Sequence, residues 1–200
     1  MPEIVRLTRQ REELALDVTA FYRTELSKLK NVYFTPERVR EMLAKRNLTY
    51  FQELARQGNL KVTPKQPVTR VQLALDGEQL VGVRETTDYA MEQGGEVVGL
   101  TRALIWLLAE PKGRGTGTLL LNDMIENSEG VDALALNVAQ TNKGARKLYR
   151  GRGFEYCCVQ PGHENQLVPN QLWVKPLTQL GYKTLRVERK RALAEKSSSK

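Results

Sequence analysis

Leu104 to Leu121 reads LIWLLAEPKGRGTGTLLL, and this stretch decides the fold. An apolar run ends at Pro111, a glycine-rich turn follows, and an apolar helix-like segment starts at once. A strand, a glycine loop and a helix in that order aim the N–H groups of the loop and first helical turn into one concavity. Those N–H groups lack internal partners, so such a nest suits phosphate oxygens. Gly113, Gly115 and Gly117 let a ligand approach the main chain with no Cβ in the way.

Two familiar phosphate loops do not fit. A P-loop needs Lys and Ser/Thr after its last glycine, whereas Gly117 is followed by Thr118 and Leu119. A dinucleotide fingerprint needs G-x-G-x-x-G, and Thr118 stands where its third glycine belongs. A hairpin that holds nothing is the plain alternative. The run Lys112-Gly113-Arg114-Gly115-Thr116-Gly117 resembles the acetyl-CoA loop of the GNAT acyltransferases, Q/R-x-x-G-x-G/A, with Lys112 departing from the usual Arg or Gln. A second segment, Asn142 to Phe154, resembles that family's later signature N-x-x-A-x-x-L-Y-x-x-x-G-F at every position. Between them the chain has room for one helix, Thr118 to about Ser128, and one strand, Val131 to Val138. The resemblance covers about Val68 to Gln160 well and the N-terminal third in outline.

The rest of the chain reads in the same order. Ile4–Leu7 suits an edge strand, and apolar residues at 14, 18, 21, 22 and 26 mark a helix over Arg11–Lys28. Thr35-Pro36 offers an N-cap and a first-turn proline for a second helix that breaks near Asn47. Gly58–Pro67 is a connector, and strands follow from Thr69, with Asp76-Gly77 as a hairpin turn. Leu80 to about Tyr89 returns, Met91–Gly95 turns, and Glu96–Leu108 is the long central strand. Pro161–Asn165 reads as a loop and Gln171–Val174 as the last strand. The expected fold is α/β (α+β), a mixed central sheet of about seven strands flanked by helices. The expected division is one domain over residues 1–182 and a basic, partly disordered tail over 183–200.

Composition sets bounds. Two hundred residues suffice for one cored domain. No segment approaches ~18 uninterrupted apolar residues, which excludes a spanning helix. The two cysteines, Cys157 and Cys158, are adjacent, so they point to opposite faces of a strand and have no metal-ligand spacing. With no signal-peptide core, the sequence reads as cytoplasmic. The net charge is +8; from Lys183 to Lys200 seven Lys and Arg stand against two Glu, leaving +5 there and +3 on the other 182 residues. That asymmetry makes nucleic acid a candidate partner of the tail. The sequence does not give the oligomeric state.

The resemblance implies acetyl-CoA as co-substrate, with no metal, and a primary amine as acceptor attacking the acetyl carbon directly. No serine or cysteine lies in a nucleophile motif, which agrees with direct attack. It implies that the pantetheine arm pairs with the backbone near Leu107, with Ile105 and Trp106 just before it. Lys112, Gly113, Arg114, Gly115, Thr116, Gly117 and Thr118 would hold the pyrophosphate, and Asn142, in the second motif, would line the cofactor. Asn142, Ala145 and Tyr149 share a helix face, and the resemblance makes Tyr149 the acid that protonates the leaving thiolate. A core tyrosine is its plain alternative. The general base stays open among Glu96, Glu85 and Asp88, and His163 reads as an exposed loop residue. Lys143, Arg146, Lys147 and Arg150 form a basic arc, a solvated face or a contact for a phosphate. The basic surface favours a protein lysine or N-terminus, or a nucleic-acid amine, as acceptor. The rival reading is a GNAT-fold binding protein without catalysis, using its tail on nucleic acid or a large assembly.

Overall fold

The computed structural model describes residues 2–30, 32–57, 66–93, 96–160, 166–183, 185–186 and 189–190. Strand β1 (Glu3–Arg6) leads through a 3-10 segment (Arg9–Leu14) into α1 (Ala15–Ser27). The helix expected from Arg11 winds as a regular α-helix only from Ala15; Arg11 itself is off helical angles, inside the 3-10 segment that runs to Leu14. Thr35 caps α2 (Pro36–Lys45), its side chain accepting from the Arg38 N–H at 3.3 Å. Arg46 departs from helical angles, which ends α2 and separates it from α3 (Leu48–Gln57).

Three antiparallel strands follow: β2 (Val68–Asp76), β3 (Gln79–Gln93) and β4 (Glu96–Ala109), with Gly77 at positive φ in the first turn. Then come α4 (Thr116–Glu126), β5 (Ala133–Ala139), α5 (Lys143–Arg150), β6 (Glu155–Gln160) and β7 (Asn170–Pro176). α4 begins two residues earlier than expected, so Gly117 lies inside its first turn. β3 runs on to Gln93, leaving the expected Met91–Gly95 turn only residues 94–95, which lie outside the described residues. The expected Gly58–Pro67 connector and the Pro161–Asn165 loop fall mostly or wholly outside them too.

The seven strands form one sheet in the order β1-β2-β3-β4-β5-β7-β6, antiparallel except for β4 beside β5. A helical crossover through α4 makes that pair parallel. Helices α1–α3 cover the first half of the sheet, where Val18, Tyr22, Leu26, Phe51, Leu73 and Val83 form a core. A second core gathers Leu121, Met124, Leu134, Leu136, Phe154 and Trp173 around α4 and β5. Gly82 lets α4 press onto β3: a Cβ there would stand 2.7 Å from Thr116 Cγ2 and 2.9 Å from Leu120 Cδ1. No described helix is long and apolar enough to cross a membrane.

Candidate functional site

Parallel pairing between β4 and β5 runs from Thr101 opposite Ala133 to Leu104 opposite Leu136, and stops there. The cause is visible on the other edge of β4. Glu85 pairs with Trp106 and Thr86 with Leu104, which leaves Ile105 as an extra residue. Such a bulge bends and twists the strand that carries it. β4 therefore follows β3 away from β5, while β5 stays with β7 as far as Ala139 opposite Asn170. The edge of β4 that faced β5 is thus free of strand pairing at Ile105, Trp106 and Leu107. Free backbone donors and acceptors on such an edge can pair with an extended ligand as with another strand.

A cavity of about 450 Å³ fills the gap. Leu104–Leu108 form one wall, Asn137–Ala139 the opposite one, and Asn142, Ala145 and Tyr149 of α5 a third. Asn142 also caps α5, its Oδ1 accepting from the Ala145 N–H at 3.1 Å, which fixes the helix at the cavity's edge. Tyr149 is 7% exposed and packs on Phe154 with ring centroids 5.9 Å apart. Burial pushes its phenol up to about 12. Among the described residues its hydroxyl has no hydrogen-bond partner, so it can donate into the cavity.

The glycine loop stands where β4 ends. Gly115 caps α4 at φ 87°, a left-handed angle that glycine adopts without strain. The first N–H with an internal helical acceptor is that of Leu119, bonded to Gly115 O at 2.9 Å. The amides of Thr116, Gly117 and Thr118 precede it and make an anion nest of three donors. Lys112, Gly113, Arg114 and Gly115, just before these amides, are exposed. None of the loop residues lines the cavity itself; the loop continues its wall past Leu108.

The acidic candidates for a base are committed elsewhere. Glu85 is 2% exposed and accepts from Tyr22 Oη (2.8 Å), Tyr50 Oη (3.1 Å), Arg46 Nε (2.9 Å) and Arg46 Nη2 (3.0 Å). Burial, and after it the charge of Glu85, pushes the Tyr22 and Tyr50 phenols up, so both remain donors. Asp88 is buried between Arg70 and Arg102. Neither carboxylate lines the cavity. Glu96 opens β4 eight residues before Leu104, far from the gap. His163 lies outside the described residues.

The far end of the cavity carries no motif. Leu29, Tyr33, Phe34, Arg38 and Met42 close it from the α1–α2 turn and α2, with Gln166 from the β6–β7 connection and Asn170 from the start of β7. The two segments meet: Leu167 N–H donates to Tyr33 O at 3.0 Å, and Phe34 bridges Gln166. One local signal marks Arg38. It is a cation in the first turn of a helix, where the dipole favours acids.

The model of the acetyltransferase (GNAT) family matches residues 38–154. Three solved structures share the fold at low identity. PaiA N-acetyltransferase from Thermoplasma acidophilum, in complex with coenzyme A, is 16% identical over 88% of this chain and 99% of its own, with a TM-score of 0.62. Arabidopsis thaliana NAA60 with acetyl-CoA is 14% identical over 88% and 100%, with a TM-score of 0.58. The protein yncA from Salmonella typhimurium, with its cofactor acetyl-CoA, is 14% identical over 90% and 95%, at 0.59. No curated protein sequence matches the chain.

Proposed function

The chain belongs to the GNAT family of acetyltransferases, and on that premise we propose that it moves an acetyl group from acetyl-CoA to a primary amine by direct attack. The observation that supports this most is the gap beside β4, at the Ile105 bulge, lined by Tyr149. The residues present suit the co-substrate. Backbone at Ile105–Leu107 would pair with the pantetheine amides, the α4 amides with Lys112 and Arg114 would take the pyrophosphate, and Asn142 would orient the α5 face. Bound there, acetyl-CoA supplies an activated acetyl thioester.

Tyr149 then holds a proton where the departing sulfur needs one. A phenol at about 12 stays protonated through the working range. Against a thiolate of ordinary basicity, about 8.5, full transfer would be uphill by on the order of 5 kcal/mol. The same apolar walls raise the basicity of any thiolate leaving among them, which narrows that mismatch. Glu85 and Asp88 are closed off as bases by their ion pairs, and no carboxylate is among the described residues lining the cavity. Among the described residues no cluster of His, Cys, Asp and Glu could hold a metal ion.

The net charge of +8 favours acceptors with negative surroundings, a protein lysine or N-terminus or a nucleic-acid amine. A cytoplasmic location belongs to the same proposal, in keeping with two buried cysteines that form no disulfide. The test is acetyl-CoA binding by calorimetry followed by thiol release over an amine panel. Tight binding with thiol release on at least one amine is expected. Binding without release on any amine would replace transfer by the reading of a binding protein.

A further inference from the structure

Resting on the acetyltransferase reading, we propose that the acceptor is a small amine carrying its own carboxylate or phosphate, of the kind found in an apolar α-amino acid, and that Arg38 grips this oxyanion. Among the described residues lining the cavity, Arg38 is the one with a charge, and none is a carboxylate. An acceptor binding as a bare ammonium would meet a like charge and no counter-ion. An acceptor with a neighbouring oxyanion meets a guanidinium that can take it bidentately.

Arg38 is otherwise poorly accounted for. It sits in the first turn of α2, against the helix dipole. Its one described side-chain partner is Glu41, at 3.0 Å through Nη1, with the Arg38 side chain 31% exposed and that of Glu41 50%. Such a pair contributes little, and it leaves most of the guanidinium donors unused.

The surroundings set size and character. Leu29, Phe34, Met42 and Trp106 make this end apolar, with Phe34 edge-on to Trp106 at 6.4 Å between centroids. The backbone contacts of Tyr33 with Leu167 and of Phe34 with Gln166 close one side. About 450 Å³ must also take the thioester end of the co-substrate, which leaves room for an apolar side chain of a few carbons. A compact acidic amine fits this end better than the macromolecular amines favoured by net charge alone.

The grip also bears on how the amine loses its proton. A carboxylate beside an ammonium stabilises the charged amine. Once Arg38 neutralises that carboxylate, the amine loses the stabilisation and titrates lower. An α-amino group without a charged neighbour titrates at about 7.7–8.0, so a useful fraction is free base near neutrality. Arg38 is in this sense a specificity residue that also prepares the nucleophile.

The experiment pairs acidic amines with their neutral counterparts: phenylalanine with phenethylamine, leucine with isoamylamine, and each with the matching aminophosphonate. A peptide with a free N-terminus and a lysine peptide complete the panel. Thiol release and calorimetry, the latter with coenzyme A bound, are measured on the wild type, Arg38→Gln and Arg38→Lys. The acidic member should bind and react about 10- to 100-fold better than its neutral partner, as a charge-assisted contact predicts. Arg38→Gln should erase that ratio, leave acetyl-CoA affinity unchanged, and move the pH profile for the acidic amine to higher pH. Arg38→Lys should restore part of the preference, and the carboxylate and phosphonate arms show which oxyanion is taken. Preference for a neutral amine or a peptide overturns the proposal, as does an equal loss on both members in Arg38→Gln. If no amine is turned over, the transfer reading fails, while the calorimetric ratio still decides the role of Arg38.

Discussion

On one side of the β4/β5 divide, β3 buries Arg84, Glu85 and Asp88, and α1 adds Glu25. On the other side, from α4 through β5, α5, β6 and β7, no Lys, Arg, Asp or Glu among the described residues is buried. The first half is clamped by ion pairs that reach across the sheet. Arg46 holds Glu85 and lies 5.5 Å over the Trp106 ring, and Arg84 donates to Leu120 O and pairs with Asp123 at 2.8 Å. The second half is held mainly by apolar packing, with the Asn142 cap on α5 and the Arg84 pair tying α4 back to β3. The cavity runs between them, so one wall is set by charges and the other by shape. Breaking a buried ion pair is costly because the partner is left charged and dry. Removing a hydroxyl from a shaped wall costs little stability and removes only chemistry. Substitutions in the two halves should therefore fail in different ways.

The largest effect is expected from Tyr149→Phe, in the shaped half. Turnover should fall by about 10²- to 10⁴-fold with acetyl-CoA affinity nearly unchanged, since positioned acid catalysis acts in the transition state. Steady-state kinetics with direct cofactor binding check this; near wild-type turnover with chemistry rate-limiting would remove Tyr149 from the mechanism. A second readout is alkaline stability. The folded phenol titrates at about 12, above its ordinary value near 10, so its contribution is complete below the unfolded value and is lost as pH rises towards 12. Tyr149→Phe should flatten that part of the alkaline loss.

Glu85→Gln, in the clamped half, should show the opposite pattern. Arg46 would keep its charge with no counter-ion in a buried site, at a cost of about 3–5 kcal/mol of stability. Denaturant unfolding measures it. At temperatures where the variant is folded, turnover should fall less than in Tyr149→Phe, because Glu85 does not line the cavity. A variant as stable as wild type would mean that the network does not clamp this half.

Gly117→Val comes next. A single Cβ at Gly117 would meet Ala109 Cβ at 3.8 Å, which is ordinary contact, so Gly117→Ala should bind cofactor nearly normally. Valine adds two methyl groups beside the α4 amides, and acetyl-CoA affinity should drop by about tenfold or more while the protein still folds. Unchanged affinity by calorimetry would take the pyrophosphate away from this loop.

The same contrast explains what could be read in the sequence. The loop from Lys112 to Gly117 and the helix from Asn142 to Tyr149 are local, so their spacing alone suggested a nest and a shared face. The element order followed from periodicity and turn residues, and the sheet carries it. The Glu85 network is non-local: its donors lie 63, 39 and 35 residues away, and nothing in the spacing of Tyr22, Arg46 and Tyr50 brings them together. Glu85 therefore looked like a free carboxylate near the right strand. The Ile105 bulge was equally hidden, because the run LIWLLA reads the same with or without an extra residue against β3. Arg38 joins the site only when the α1–α2 turn meets the β6–β7 connection, far apart in the chain.

The smallest effect on turnover should come from the basic end of the chain, and where the cut falls matters. Removing everything from Lys183 would take Leu185, which is 3% exposed and packs with Cys157, Cys158 and Val174. It would also take Arg189, whose Nη2 donates to Tyr156 O at 2.8 Å. That deletion would strip a cover from the apolar half and confuse packing with charge. A stop after Lys190 removes Arg191, Lys196 and Lys200 against Glu195, and leaves both contacts in place. Turnover on a small amine should then stay within about twofold of wild type, and unfolding should be unchanged, if catalysis and core lie wholly before the cut. Any affinity for duplex DNA should fall, and its salt slope should flatten by at most about 3 × 0.9, because each lost phosphate contact releases fewer counter-ions. Equal slopes before and after truncation would leave the tail with no part in polyanion binding. A large loss of turnover would mean instead that these last residues reach the cavity, and that the acceptor end has a further wall.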